Sequence, residues 1–243
     1  MKIGILETGL PPEELDTYSD YGNMLKNFIT RVDNSEGFEF EIYTVVKGHL
    51  PESALDCDGW MITGSKHGVY ENLPWMLSLQ DLIREAHAAG LPMVGICFGH
   101  QLIAEALGGT VEKSPKGWGV GLHDYSLTPQ APEWMQTDSG GFTLNALHQD
   151  QISRLPEGSS VVASSEFCEY AALLYGDSII TFQGHPEFSI AYETDLIELR
   201  KSTVIPEDRA NPALKRLYEE GVSEDGPVLS KWVVDFFHRH SQS

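Results

Sequence analysis

The sequence has few cysteines and few basic residues. Its three cysteines, Cys57, Cys97 and Cys168, are odd in number and lack C-x-x-C spacing, which argues against a disulfide framework and against a zinc site. Only 16 Lys and Arg residues stand against 36 Asp and Glu residues, a net charge of −20. Nucleic acids and anionic membranes bind surfaces with clustered positive charge, so this composition predicts that the chain binds neither.

Long apolar runs and nucleotide-binding glycine patterns are also missing. No window approaches the roughly 20 apolar residues of a membrane span. The N-terminal run in MKIGILETG is too short for a secretion signal and is interrupted by Glu7. Neither a P-loop nor a Rossmann fingerprint occurs. We therefore expect a cytoplasmic protein without cofactor or metal, whose partner is a small-molecule substrate.

Apolar runs and helical periodicities alternate along the first half of the chain. With 243 residues and 41% hydrophobic composition, residues 1–243 are predicted to form a single domain. The predicted strands span residues 2–7, 38–46, 58–64 and 93–96, and the helices span 18–32, with Asp16 or Thr17 as cap, 74–90 and 98–107. This order favours a mostly parallel, doubly wound α/β sheet flanked by helices, which binds ligands beyond the carboxyl ends of its strands.

Short strands separated by turn residues follow Thr110 and predict a small antiparallel elaboration. They span 119–127, 141–147 and 160–164, and a hairpin joins 170–175 to 178–183. Three helices are predicted after Phe188, over 189–203, 211–221 and 226–239. The apolar face of the last helix is expected to pack on the sheet; the alternative is a partner-binding surface.

Cys97 lies where the strand over 93–96 turns directly into a helix. Gly95 and Gly99 flank it in a G-x-C-x-G nucleophile elbow, whose small residues let strand and helix approach while the nucleophile is held in a strained conformation. The helix N-terminus faces the sulfur and favours a thiolate. A buried structural cysteine is the alternative, but it explains neither glycine.

Two motifs resemble those of the class I (triad) glutamine amidotransferases. Cys97-Phe98-Gly99-His100-Gln101 is similar to the C-x-G-x-Q elbow of that family, and Gly184-His185-Pro186-Glu187 is similar to its G-H-P-E motif. Thr63-Gly64-Ser65 falls where the family has its oxyanion loop. His148-Gln149-Asp150 falls where the GMP-synthetase-like branch has a substrate-contacting H-x-D segment. The resemblance implies a flavodoxin-like fold and the hydrolysis of a γ-glutamyl amide through a thioester.

The resemblance also assigns roles to single residues. It implies Cys97 as nucleophile, His185 as acid and base, and Glu187 as the group that orients the imidazole. The backbone N–H groups of Gly64 and Phe98 are the implied oxyanion donors, and Gln101, His148 and Gln149 the implied substrate contacts. His100 and His148 are alternative bases, while His67, His87 and His123 have no partner pattern. The aromatic residues Tyr70, Trp75 and Trp118 are candidates for the pocket wall.

Three functions remain open at this point. The first is glutamine hydrolysis, and because the chain lacks a synthetase domain, a separate synthetase subunit would then consume the ammonia. The second is a stand-alone γ-glutamyl peptidase, since Gly117-Trp118 and Gly121 form a G-W-x-x-G pattern similar to those enzymes. The third is a non-catalytic binding module, against which the intact set of Cys97, His185 and Glu187 argues. The amine half of the substrate is expected to contact the loop from Ser65 to Trp75.

Overall fold

The computed structural model describes residues 1–241, and within them nine strands form one twisted sheet while two more form a small ribbon. The strands are β1 (Lys2–Leu6), β2 (Glu39–Tyr43), β3 (Gly59–Ile62), β4 (Met93–Ile96), β5 (Thr110–Lys113), β6 (Gly119–Leu127), β7 (Gly141–His148), β8 (Asp150–Arg154), β9 (Ser159–Ser164), β10 (Ala172–Tyr175) and β11 (Ile179–Phe182). The helices are α1 (Tyr21–Thr30), α2 (Pro74–Ala88), α3 (Phe98–Ala106), α4 (Ile190–Arg200), α5 (Glu207–Leu217) and α6 (Gly226–His240).

The large sheet is parallel on one side and antiparallel on the other. Its order is β2-β1-β3-β4-β11-β10-β9-β6-β7, with parallel pairing from β2 to β11 and antiparallel pairing beyond β11. The remaining strands, β5 and β8, pair antiparallel as the ribbon. The predicted doubly wound α/β sheet is confirmed, and the antiparallel elaboration continues the same sheet.

Helices cover both faces of the parallel strands. On one face, α1 and α6 bury apolar side chains such as Phe28, Trp232 and Phe237 against Ile3 and Ile5 of β1. On the other face, α2 and α3 pack over β3 and β4 through a second apolar cluster. Each fully buried side chain of this size contributes about 1.5–3 kcal/mol. The prediction that the last helix packs on the sheet is confirmed.

Two helix starts differ from their predicted positions. The cap of α1 is Asp20, whose Oδ1 accepts from the N–H of Asn23 at 2.7 Å, so Asp16 and Thr17 are wrong as caps. The fifth helix begins at Glu207 and runs through Pro212 to Leu217, whereas the sequence predicted a helix over 211–221. Its acidic first turn, Glu207 and Asp208, stabilises the earlier start at the positive end of the helix dipole.

No helix among residues 1–241 has both the length and the apolarity that crossing a bilayer requires.

Candidate active site

Cys97 lies between β4 and α3 in a backbone conformation that few residues other than glycine adopt. Its φ is 51° and its ψ is −102°, and both neighbouring elements have the predicted boundary at this residue. Such a conformation costs on the order of 1–3 kcal/mol, which the surrounding packing must offset. The strain predicted for the nucleophile elbow is therefore present at the sulfur-bearing residue.

The two glycines beside Cys97 have no room for side chains. A Cβ atom on Gly99 would lie 2.5 Å from the backbone oxygen of Ile62 in β3, and one on Gly95 would lie 2.8 Å from the backbone of Gly99. Real Cβ atoms essentially never come this close to backbone atoms. Strand β4, helix α3 and strand β3 thus meet at a spacing that only glycine permits.

His185 and Glu187 form a buried pair just beyond β11. Nδ1 of His185 lies 2.8 Å from Oε1 of Glu187, and the two side chains are only 5% and 2% exposed. Because an ionised carboxylate can only accept, Nδ1 carries the hydrogen and Nε2 is left for the sulfur. The ring of Phe188 stacks on the imidazole with centroids 4.0 Å apart. The imidazole is therefore fixed both at its edge and on its face.

Gly64 is where the nucleophile and the histidine come together. A Cβ on Gly64 would lie 2.8 Å from Cε1 of His185 and 3.8 Å from Cβ of Cys97. Burial by itself lowers the pKa of His185, but the charge of Glu187, the charge of the Cys97 sulfur and hydrogen bonds to both outweigh it and hold that pKa well above its ordinary value. This environment favours an imidazolium beside the sulfur.

The two predicted oxyanion donors belong to Phe98, which follows Cys97 in the chain, and to Gly64, in the loop after β3. Phe98 is the first residue of α3, so its N–H is among the first-turn groups that have no partner within the helix. The Gly64 carbonyl accepts from the hydroxyl groups of Thr8 at 3.1 Å and Thr63 at 3.0 Å, which anchors the loop after β3. Donation from these two N–H groups to a reacting oxygen stays a prediction.

A cavity of about 430 Å³ opens on Cys97 and is lined by the three predicted substrate contacts, Gln101, His148 and Gln149. Nε2 of Gln101 donates to the backbone oxygen of Asp150 at 2.9 Å, and Nδ1 of His148 donates to the same oxygen at 3.1 Å. Burial lowers the pKa of His148 to about 3, so its ring is neutral. Gln101 and His148 therefore hold the segment 148–150 in place at the cavity wall.

The other candidate histidines and aromatics divide between packing and the cavity. His100 is fully buried, its Nδ1 lies 2.7 Å from Oγ1 of Thr181, and burial lowers its pKa to about 3, so it ties α3 to β11 rather than acting as a base. Tyr70 and Trp118 line the cavity, as does His67. Trp75 packs against Phe98, with ring centroids 5.7 Å apart.

Two basic cavity residues were missed by sequence reasoning, Lys113 and Arg200, whereas Lys66 lies in the loop predicted to contact the amine half. Lys113 ends β5 and Arg200 ends α4, so only the fold brings them to Cys97. No local motif marks either residue. A basic residue at the end of a predicted helix or strand does not indicate which cavity its side chain lines.

Comparison with known proteins identifies relatives of this chain. The family model for glutamine amidotransferase class-I matches residues 17–200. A glutamine amidotransferase-like protein of Schizosaccharomyces pombe is 30% identical over 228 residues, covering 88% of this chain and 90% of that protein. Gamma-glutamyl peptidase 4 of Arabidopsis thaliana is 31% identical over 188 residues, covering 75% of this chain and 73% of the peptidase.

A crystal structure has the same fold at lower sequence identity. A glutamine amidotransferase from Thermotoga maritima superposes with a TM-score of 0.73 at 22% identity, and the match covers 100% of this chain and 98% of the other.

Proposed function

The chain belongs to the class I glutamine amidotransferase family, and we propose that it hydrolyses a γ-glutamyl amide bond with Cys97 as nucleophile. The observation that carries the proposal is the strained Cys97 at the head of α3, beside the buried pair of His185 and Glu187. A thiol on a strained backbone at a helix N-terminus, next to an oriented imidazole, is the arrangement that activates a cysteine nucleophile.

The reaction proceeds in two halves. The thiolate of Cys97 attacks the γ-carbonyl carbon, and the negative oxygen of the tetrahedral intermediate accepts from the N–H groups of Gly64 and Phe98. The imidazolium of His185 gives its Nε2 proton to the leaving nitrogen, the C–N bond breaks, and a γ-glutamyl thioester remains. Neutral His185 then takes a proton from water as the water attacks the thioester, and glutamate leaves as the thiolate reforms.

Glu187 keeps His185 in the tautomer that this cycle needs. Its Oε1 accepts from Nδ1, so Nε2 always faces the sulfur, and its charge stabilises the imidazolium that precedes proton donation. Gln101, His148 and Gln149 form the wall that contacts the glutamyl half of the substrate.

The leaving group separates two versions of this function. Glutamine would release ammonia, which a separate synthetase subunit would consume; a γ-glutamyl peptide would release an amino acid or peptide. The cavity favours the second version, because it extends from Cys97 past the loop residues 65–71 to the ends of β5 and α4. Its volume of about 430 Å³ lies in the range of small-molecule sites, roughly 300 to 1,000 Å³. Space beyond the sulfur gives the amine half something to contact.

A glutamine-like electrophile tests the proposal. Diazo-oxo-norleucine should add one mass label to Cys97 and none to Cys57 or Cys168, because burial raises the pKa of both other thiols, that of Cys168 to about 12. Cys97→Ser should abolish labelling, and Cys57→Ser is the matched control that should keep it. Labelling that survives Cys97→Ser would remove the proposal.

A further inference from the structure

Positive charge is scarce in this chain, yet three of its 16 basic residues line the cavity that opens on Cys97. Lys66 follows β3, Lys113 ends β5 and Arg200 ends α4. The chain as a whole carries a net charge of −20, so its surface repels anions. The lining of this cavity is therefore richer in positive charge than the chain as a whole.

The two carboxylates of the same cavity are occupied by other groups. Glu71 accepts from the N–H of Gly68 at 2.7 Å and lies 3.0 Å from Nδ1 of His67. Asp150 accepts from the hydroxyl of Tyr70 at 3.3 Å. Within the part of the chain that the structure describes, no ion pair of 4.0 Å or less includes Lys66, Lys113 or Arg200. Among these residues the three cations thus line the cavity without a carboxylate at ion-pair distance, although Arg200 is close enough to the buried Glu193 for its charge to oppose the rise in the pKa of that carboxyl.

Arg200 is the best placed of the three to bind an anion. It is half-buried, whereas Lys66 and Lys113 are exposed to solvent, which screens their charges. Lys113 also lies opposite Asp150 in the β5–β8 pair. Burial raises the pKa of the Asp150 carboxyl, and the charge of Lys113 opposes only part of that rise. A guanidinium presents paired N–H donors that match the two oxygens of a carboxylate.

Charge balance identifies the ligand that fits. Every γ-glutamyl compound carries one ammonium and one carboxylate on its glutamyl half. Glutamine and γ-glutamyl amides of neutral amines are therefore neutral overall, whereas a γ-glutamyl amino acid or peptide has a second carboxylate and a net charge of −1. Apart from the thiolate of Cys97, which the imidazolium of His185 balances, three cations against two carboxylates leave the cavity lining with one excess positive charge. That excess complements the second class of substrate.

We propose that the cavity selects γ-glutamyl amino acids or peptides by the free carboxylate of their amine half, and that Arg200 binds this carboxylate. Lys66 and Lys113 add attraction at the mouth of the cavity. The inference rests on the proposed function, because it assigns the leaving half of the substrate cleaved at Cys97. It goes beyond that function by naming the charge that the leaving half must carry.

A pair of substrates that differ only in that charge tests the inference. We would measure kcat/KM for γ-glutamyl-alanine and for γ-glutamyl-alaninamide, in which a neutral amide replaces the carboxylate. The native chain should have a kcat/KM about tenfold or more higher for the carboxylate substrate, since charge-assisted hydrogen bonds are roughly twice as strong as neutral ones. Arg200→Gln should lower kcat/KM roughly 10- to 100-fold for γ-glutamyl-alanine and less than about threefold for the alaninamide.

Two further variants separate charge recognition from folding. Arg200→Lys keeps the charge but loses the paired donors, so its kcat/KM for γ-glutamyl-alanine should lie between those of the native chain and Arg200→Gln. Lys231→Gln removes one positive charge from α6, outside this cavity, and should leave kcat/KM unchanged for both substrates.

Equal losses for both substrates in Arg200→Gln would overturn the inference, because Arg200 would then contact the glutamyl half or support the fold. A native chain that cleaves both substrates equally well would overturn it too. If neither compound is cleaved and diazo-oxo-norleucine does not label Cys97, the proposed function itself fails and the inference falls with it. Labelling of Cys97 therefore distinguishes the two failures.

Discussion

At the scale of single residues, His185 and Glu187 carry different parts of the proposed chemistry. His185 both stabilises the thiolate and supplies the proton to the leaving nitrogen, so no step of the acylation proceeds well without it. Glu187 acts through His185, by fixing its tautomer and adding a charge 2.8 Å from Nδ1. Removing only the charge of Glu187 therefore leaves part of the function in place.

The kinetic consequence is a graded pair of losses. His185→Ala should lower the acylation rate by several powers of ten, and Glu187→Gln by roughly 10- to 1000-fold, since glutamine still offers an acceptor to Nδ1. Single-turnover kinetics with γ-glutamyl-alanine would measure both. His87→Ala, at an exposed position of α2, is the control and should leave the acylation rate unchanged. A loss at Glu187 equal to that at His185 would mean that the roles are assigned wrongly.

Glu193 is a second buried carboxyl near this pair, and it shapes the dependence of stability on pH. It is fully buried on α4, and its Oε1 accepts from the N–H of Gly121 at 3.2 Å. Burial raises the pKa of Glu193 to about 7, although the charge of His185 opposes the shift. Between its unfolded pKa of about 4.3 and this value, the unfolded chain loses a proton that the folded chain keeps, so stability falls as pH rises.

Glu193→Gln removes that titration. The free energy of unfolding of the variant should therefore rise relative to the native chain between pH 4.5 and pH 8, by on the order of 3 kcal/mol. Urea denaturation at both pH values measures the difference, in which the ionisable groups that do not interact with Glu193 cancel. A difference that is the same at both pH values would show that Glu193 ionises normally in the folded chain.

The residues of the site that could be predicted are those with local motifs. Each of these motifs fits within five residues: Cys97 is flanked by two glycines, and Glu187 follows His185 two residues later. Arg200 and Lys113 lie at the ends of separate elements, so their approach to the sulfur depends on tertiary packing that no local pattern encodes.

At the scale of elements, the crossing of β4, α3 and β3 positions the sulfur. The boundary between β4 and α3 was predictable to the residue because the change from a buried run to helical spacing falls on a glycine-flanked cysteine. The start of α5 could not be predicted in this way, since the helix begins before Pro212 and tolerates this proline in its interior. The ribbon of β5 and β8 was not singled out, because half of its residues in β5 are exposed and alternate poorly.

The close crossing of β4, α3 and β3 predicts that one added methyl group at Gly99 lowers both stability and the reactivity of Cys97. Gly99→Ala should lower the free energy of unfolding by roughly 1–3 kcal/mol, because the new Cβ would press on backbone atoms of β3. It should also reduce labelling of Cys97 by displacing the elbow. Gly90→Ala is the matched control: its φ is 69° and nothing lies within 4 Å of its Cβ position, so only backbone strain applies, about 1 kcal/mol. If thermal or urea unfolding gave the two variants the same stability and reactivity, the close crossing would not matter.

At the scale of the whole molecule, one rim of the sheet carries every group that the proposed cycle uses. Gly64 follows β3, Cys97 follows β4, His185 follows β11, and His148 ends β7. Parallel strands bring their carboxyl ends to the same edge, so these residues meet although 121 positions separate Gly64 from His185. We therefore expect the chain by itself to complete acylation and hydrolysis, without a residue from a partner.

The most direct measurement is to trap the covalent intermediate on the chain alone. The purified protein would be mixed with γ-glutamyl-alanine, quenched in acid within milliseconds, digested and mapped by mass spectrometry. The account predicts one glutamyl group, on the peptide that contains Cys97, and its release by neutral hydroxylamine as expected of a thioester. A glutamyl group on another residue, or substrate hydrolysis that continues undiminished in Cys97→Ala, would contradict it.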